Sequence, residues 1–263
     1  MRKASVLAGI GVVIIFTLLW MGDLKAGGFL SDEKTEDNKL QVLAASSLRF
    51  AFEEIGEAFW EKEGIEIVFQ YGASGNLAQQ IVNGAPVDLY ASADRHFMER
   101  LVKEEHINEE NLRLFCKGIL VLAFHQDNSE PVEKLEDLIK PSVQRISIAN
   151  PEHAPYGKAA KAALETAGLW QELEEKIVYG STVTQAMQYI ETGNVSAAIL
   201  AKSVIYSEKI NFSYIDQSYY RPLDHFIGMV ERSEQQKNAQ KFLSFLQQEE
   251  AEKILLRHGF SMP

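Results

Sequence analysis

The amino-acid sequence predicts an α/β fold of two lobes, with mainly parallel sheets, helices on both faces and a ligand cleft between the lobes. Three observations predict it. Short β-rich runs alternate with amphipathic helical stretches from Leu40 onward, the pattern of strands joined by crossover helices. The alternation comes in two sets of about 100 residues, each within ordinary domain size. The composition, 46% hydrophobic and 24% charged over 263 residues, is that of a globular chain with a sizeable core.

The chain opens with Arg2 and Lys3, an apolar run of 19 residues from Ala4 to Gly22, and then Asp23 and Lys25. This order is that of an export signal. Ala26 and Gly28 form a small-x-small pair, so cleavage is expected after Gly28; an uncleaved anchor is the alternative, because the run nearly spans a bilayer. Both place the remainder outside the cytoplasm. Residues 29–39 are polar and read as a linker.

QVLAA is the first strand, and Leu48, Phe52, Ile55 and Phe59 recur on one helix face after it. IEIVFQY is the next strand, followed by a helix carrying Leu77 and Ile81. VDLYASA is the third, and Asp94 caps a helix that runs to Glu104. The apolar run GILVLAF precedes the second set. RISIA opens the second set; Ala160, Ala163, Leu164 and Ala167 mark its helix, with Gly168 as C-cap. IVYG, a helix with Val183, Ala186, Met187 and Ile190, and VSAAIL follow. LDHFIGMV and a mostly helical tail from Ser233 to His258 close the chain. The expected limits are 40–124 plus 222–263 for lobe 1 and 125–221 for lobe 2.

In open parallel sheets, ligands bind beyond the carboxyl ends of strands, where helices begin. Four such turns are rich in small and hydroxyl residues: Ala45-Ser46-Ser47-Leu48, Tyr71 to Asn76, the loop ANPEHAPYGKAA with Tyr156 and Gly157, and Gly180 to Thr184. Each offers backbone N–H groups at the positive end of a helix. Singly, each serine reads as a helix cap. Together, two turns per set make a cleft of neutral donors suited to a small anion. Asp88 and Asp94 read as structural, a strand residue and a helix cap.

Other chemistries find less support. The net charge of −11, or −13 once residues 1–28 are removed, disfavours nucleic acid and anionic membranes. Cys116 is the single cysteine, which excludes an internal disulfide. Gly72-Ala73-Ser74-Gly75-Asn76 narrowly misses the nucleophile elbow of serine hydrolases, and none of the six histidines has a triad context. No spacing matches a zinc or calcium site, a P-loop or a dinucleotide fingerprint.

The segments VLAASSL, YGASGNLAQQI, NGAPVDLYASAD, ANPEHAPYGKAA, GSTVTQAM and ETGNVSAAILAKS resemble the extracytoplasmic molybdate-binding proteins of bacterial ABC importers. The resemblance covers nearly all of Leu40–Pro263. It implies a type II periplasmic-binding-protein fold that closes on a tetrahedral oxyanion, molybdate or tungstate, and hands it to the importer's permease subunits. It implies no cofactor, no catalysis and a monomer. The ligand contacts correspond to Ser47 and Ser74, through hydroxyl and N–H, and to the N–H groups of Tyr156 and Val183; the only metal is molybdenum inside its oxyanion. One residue departs: many relatives carry an anion-binding tyrosine where this chain has Ala201. The expectation is that the Tyr156 hydroxyl supplies that donor instead. A receptor for another oxyanion such as sulfate, and a serine hydrolase using Ser74 or Ser47, are the alternatives.

Overall fold

Ten strands and eight helices build two five-stranded sheets in a computed structural model that describes residues 38–128, 130 and 132–263. The expected export segment, residues 1–28, and the linker up to residue 37 lie outside the described residues. The first set runs β1 (Lys39–Ala45), α1 (Arg49–Glu63), β2 (Glu66–Gly72), α2 (Ser74–Val82), β3 (Leu89–Ser92), α3 (Arg95–Lys103) and β4 (Arg113–Gly118). The second runs β5 (Leu120–His125), β6 (Ile146–Ala149), α4 (Pro155–Thr166), the short α5 (Trp170–Leu173), β7 (Ile177–Gly180), α6 (Val183–Glu191), β8 (Ala197–Ala201) and β9 (Ile210–Tyr214). β10 (Leu223–Met229), α7 (Gln236–Phe245) and α8 (Glu249–Arg257) return to the first sheet.

The sheet orders are β2-β1-β3-β10-β4 and β7-β6-β8-β5-β9. β1 is parallel to β2 and β3, and β6 to β7 and β8, because helices make those crossovers. β10 and β5, the strands that carry the chain between the sheets, pair antiparallel with both neighbours. The sheets are therefore mixed, a detail that the helix-strand alternation alone does not reveal.

β1 explains why its sequence is nearly continuously apolar. Leu40, Val42 and Ala44 face one core cluster while Leu43 faces another, so both faces are buried. Against one face, Phe52 and Phe59 of α1 pack edge-on to Phe242 of α7. Against the other, Leu77 and Ile81 of α2 join Met98 and Leu101 of α3. Beneath, Asp88 accepts from the Gln41 N–H at 2.8 Å and the Ser233 hydroxyl at 2.6 Å, the structural role expected of it.

One strand sits differently from the expected lobe limits. GILVLAF is divided at Ile119: β4 ends at Gly118 in the first sheet, and Leu120–His125, of which Leu120–Phe124 was expected in lobe 1, pairs with β8 and β9 in the second. An unbroken apolar run does not reveal a change of sheet. β4 and β9 also went unread, since RLFCKG and INFSY carry only partial alternation between buried and exposed positions.

Candidate ligand-binding site

The parallel strands β1, β2, β6 and β7 all end at one place. There Ser47 lies in a 3₁₀ turn (Ser46–Leu48), Ser74 is the first residue of α2, Tyr156 the second of α4 and Val183 the first of α6. All four line a single small cavity, together with Ser46, Gly72, Ala73 and Ala154. Its free space, mouth included, is about 200 Å³. Most of that is open mouth: the enclosed part is about 10 Å³, near the ~10–15 Å³ that a single water needs and far below the ~300–1,000 Å³ of organic-ligand pockets. Its lining contains no charged side chain among the described residues.

Positive potential comes from the helix starts. The cap positions of the Ser46 turn, α2 and α4 are Ala45, Ala73 and Ala154, whose methyl groups accept no hydrogen bond. Only Thr182 caps its helix, and its hydroxyl takes the Gln185 N–H at 3.1 Å, leaving Val183 N–H at the end of α6. Serine capping, the simplest sequence reading of Ser47 and Ser74, is not what these residues do. The first helical N–H groups have no intrahelical acceptor, and Ser74, Tyr156 and Val183, at the starts of α2, α4 and α6, all line the cavity.

The two serines differ in what their hydroxyl protons can do. Ser74 Oγ accepts the Ala93 N–H at 3.2 Å, and its carbonyl accepts the Tyr90 hydroxyl at 2.7 Å, so its own proton is available. Ser47 Oγ lies 3.1 Å from Nε2 of the fully buried His225. His225 Nδ1 is 2.9 Å from the Leu223 carbonyl, which can only accept, so Nδ1 carries the hydrogen. Nε2 is then the acceptor and the Ser47 proton is committed to it. Burial pushes His225 down to about 4, which keeps the ring neutral.

Tyr156 places its ring against His225, with centroids 6.0 Å apart. Its hydroxyl is buried beside Ser47 and Ser203 without reaching hydrogen-bond geometry with either. Burial raises its pKa well above the ordinary phenol value. Gly118 makes room for it: a Cβ there would meet Tyr156 Oη at 1.9 Å.

Hydrogen bonds close the cleft around the cavity. Thr184 Oγ1 donates to the Ser46 carbonyl at 3.1 Å, Gly75 N–H to the His153 carbonyl at 2.9 Å, and Ser203 Oγ to the Ser47 carbonyl at 2.8 Å. His225, Ser203 and Tyr90 were not singled out from sequence, and Thr184 was read only as part of the Gly180–Thr184 turn. His225 sits in an apolar strand, and nothing local signals that it meets Ser47, 178 residues away.

The Ser47–His225 pair has the spacing of a nucleophile and base. Its third partner, however, is a carbonyl rather than a carboxylate, and a ring held neutral to about pH 4 is a weak base. Asp224, the neighbouring acid, belongs to the alternate strand face. Among the described residues no cluster of His, Cys, Asp and Glu is arranged to hold a metal ion.

Comparison with known proteins gives the family and the fold. The bacterial extracellular solute-binding protein family matches residues 40–261. A Bacillus subtilis (strain 168) chain, YvgL, provisionally named an ABC transporter substrate-binding lipoprotein, is 31% identical over 94% of this chain and 97% of its own. The molybdate-binding protein ModA of Rhodobacter capsulatus is 29% identical over 84% of this chain and 88% of its own. Among solved structures, the periplasmic molybdate-binding protein of Azotobacter vinelandii superimposes with a TM-score of 0.81 at 27% identity, over 85% of this chain and 99% of that one.

Proposed function

The chain belongs to the bacterial extracellular solute-binding protein family, and from that premise we propose that it captures molybdate, and also tungstate, and delivers it to an ABC importer. The observation that carries this reading is the convergence of Ser47, Ser74, Tyr156 and Val183 on one small cavity without charged side chains. A tetrahedral dianion has four acceptor oxygens and carries no proton near neutral pH, so a ring of N–H and O–H donors matches it. Here Ser47 and Ser74 contribute hydroxyl and N–H groups, while Tyr156 and Val183 contribute N–H groups. The Tyr156 hydroxyl is the added donor that compensates for Ala201.

About six charge-assisted hydrogen bonds at ~1.5–3 kcal/mol each give roughly 9–18 kcal/mol before ordering and desolvation. A micromolar to nanomolar dissociation constant, about −8 to −12 kcal/mol, follows. Sulfate offers the same acceptors in a smaller ion, so cavity size is the basis for rejecting it. Work outside the cytoplasm, as a monomer recognised by permease subunits in its closed form, belongs to the same reading. The family's members are solute-binding proteins, so no turnover is invoked.

Calorimetric titration of the purified protein with molybdate, tungstate, sulfate and phosphate tests it. Tight binding of the first two and none of phosphate is expected, and a Ser47→Ala, Ser74→Ala double variant should bind at least a hundredfold more weakly while remaining folded. Normal binding by that variant refutes the site assignment. Absence of oxyanion binding together with ester hydrolysis refutes the function and favours the Ser47–His225 pair as a catalytic one.

A further inference from the structure

We propose that binding of the oxyanion dianion at Ser47 is coupled to uptake of one proton by His225. The inference rests on the oxyanion reading of the cavity and adds a titrating group that lies behind its lining.

The argument begins with a conflict of hydrogens. Ser47 has one hydroxyl proton, and the His225 Nε2 acceptor holds it at 3.1 Å. In that arrangement Ser47 presents only lone pairs to the cavity, which repel a dianion. Turning the proton toward the ligand instead strips Nε2 of its donor in a fully buried place, a costly state. One proton from solvent resolves both. Nε2–H then donates to Ser47 Oγ, Ser47 O–H donates to a ligand oxygen, and Nδ1–H keeps the Leu223 carbonyl at 2.9 Å. Every donor has an acceptor, and the buried charge falls from −2 to −1.

The surroundings leave His225 as the group that titrates. Facing it are Ser47 from the 3₁₀ turn, Tyr156 from α4 at 6.0 Å between ring centroids, Phe115 and Phe260, and Cys116 opposite on β4. Burial raises the Tyr156 and Cys116 pKa values, so neither supplies charge near neutrality. Asp224 and Lys117 are each one residue further along β10 and β4, on the alternate strand face. Without ligand His225 is neutral, with burial holding it at about 4. A dianion one hydroxyl away is the one strong influence that favours the imidazolium.

The test is titration calorimetry with sodium molybdate, at one pH near 7, in buffers of low and high ionisation enthalpy. Uptake of about one proton per anion is expected, and molybdate affinity should strengthen by up to about tenfold per pH unit as pH falls from about 8 to 6. In His225→Gln, whose amide keeps a partner for Ser47 but does not titrate, both effects should vanish. Imidazole ¹⁵N shifts of the unaltered protein give a second readout: His225 should pass from neutral to imidazolium on saturation with molybdate. Binding with no proton uptake and an unchanged His225 spectrum overturns the proposal while sparing the function. Proton uptake that persists in His225→Gln overturns it too. If the unaltered protein binds no molybdate, the oxyanion reading fails and takes this inference with it.

Discussion

At the scale of single residues, the cavity depends on what hydroxyl groups lack as much as on what they bond. Tyr156 Oη is buried without a partner, next to Ser47. An unsatisfied buried hydroxyl costs roughly 1–3 kcal/mol, whereas a hydrogen bond to a charged group contributes about 1.5–3 kcal/mol. Tyr156→Phe should therefore stabilise the ligand-free protein by on the order of 1 kcal/mol and weaken molybdate binding by roughly tenfold or more. Thermal unfolding with and without molybdate reads both signs in one experiment; unchanged affinity would restrict Tyr156 to its backbone N–H. The four turns that hold Ser47, Ser74, Tyr156 and Val183 were legible because they follow strand ends and are rich in small residues; the choice of those residues within them rests on the family resemblance. His225 was not legible, because its importance comes from a contact between distant parts of the chain, and a histidine amid LDHFIGMV looks like any other strand residue.

At the scale of elements, helix starts aim donors only if the helix sits close to the strand that delivers it. Gly157 enforces this for α4. A Cβ there would lie 2.2 Å from the Ala149 carbonyl oxygen and 2.8 Å from the Asn150 carbonyl carbon, both backbone atoms at the end of β6. Gly157→Ala should cost about 1–3 kcal/mol of stability, as overpacking does. It should also reduce binding out of proportion, because Tyr156 N–H moves with the helix. Denaturant unfolding beside molybdate titration separates the two effects, and a destabilised variant with full affinity would show that α4 does not set the donor geometry. Alternating strands and helices were readable because a period of 2 and a period of 3.6 differ sharply over ten residues. Pairing direction was not. β5 and β10 are apolar strands like their neighbours, and their antiparallel partners, β8 and β3, are distant in sequence, so no local pattern signals the direction.

At the scale of the whole molecule, the charge of −11 and the proposed anion site are compatible because they belong to different places. Side-chain charge acts on the outer surface, whereas the cavity is governed by N–H dipoles at the ends of α2, α4 and α6. In the proposed binding, closure is what holds those dipoles together, since the donors come from both sheets and a bound ion would bridge them. The Thr184 hydroxyl, donating to the Ser46 carbonyl at 3.1 Å, spans the same gap without relying on the ligand. It therefore favours the closed form on its own account, by about 0.5–1.5 kcal/mol for a neutral hydrogen bond. Thr184→Val keeps the shape of the side chain and removes that bond. Molybdate should then bind about 2–10-fold more weakly, with the loss in the dissociation rate, because the bond exists only after the lobes have met. Stopped-flow fluorescence resolves the two rates. A loss confined to the association rate would place the contact in the encounter step and remove it from the latch. The logic is that of any two-state closure: a contact made only in the closed form strengthens every ligand of that form by the same factor. Molybdate and tungstate should accordingly lose affinity equally in Thr184→Val, whereas changes to the cavity lining can separate them.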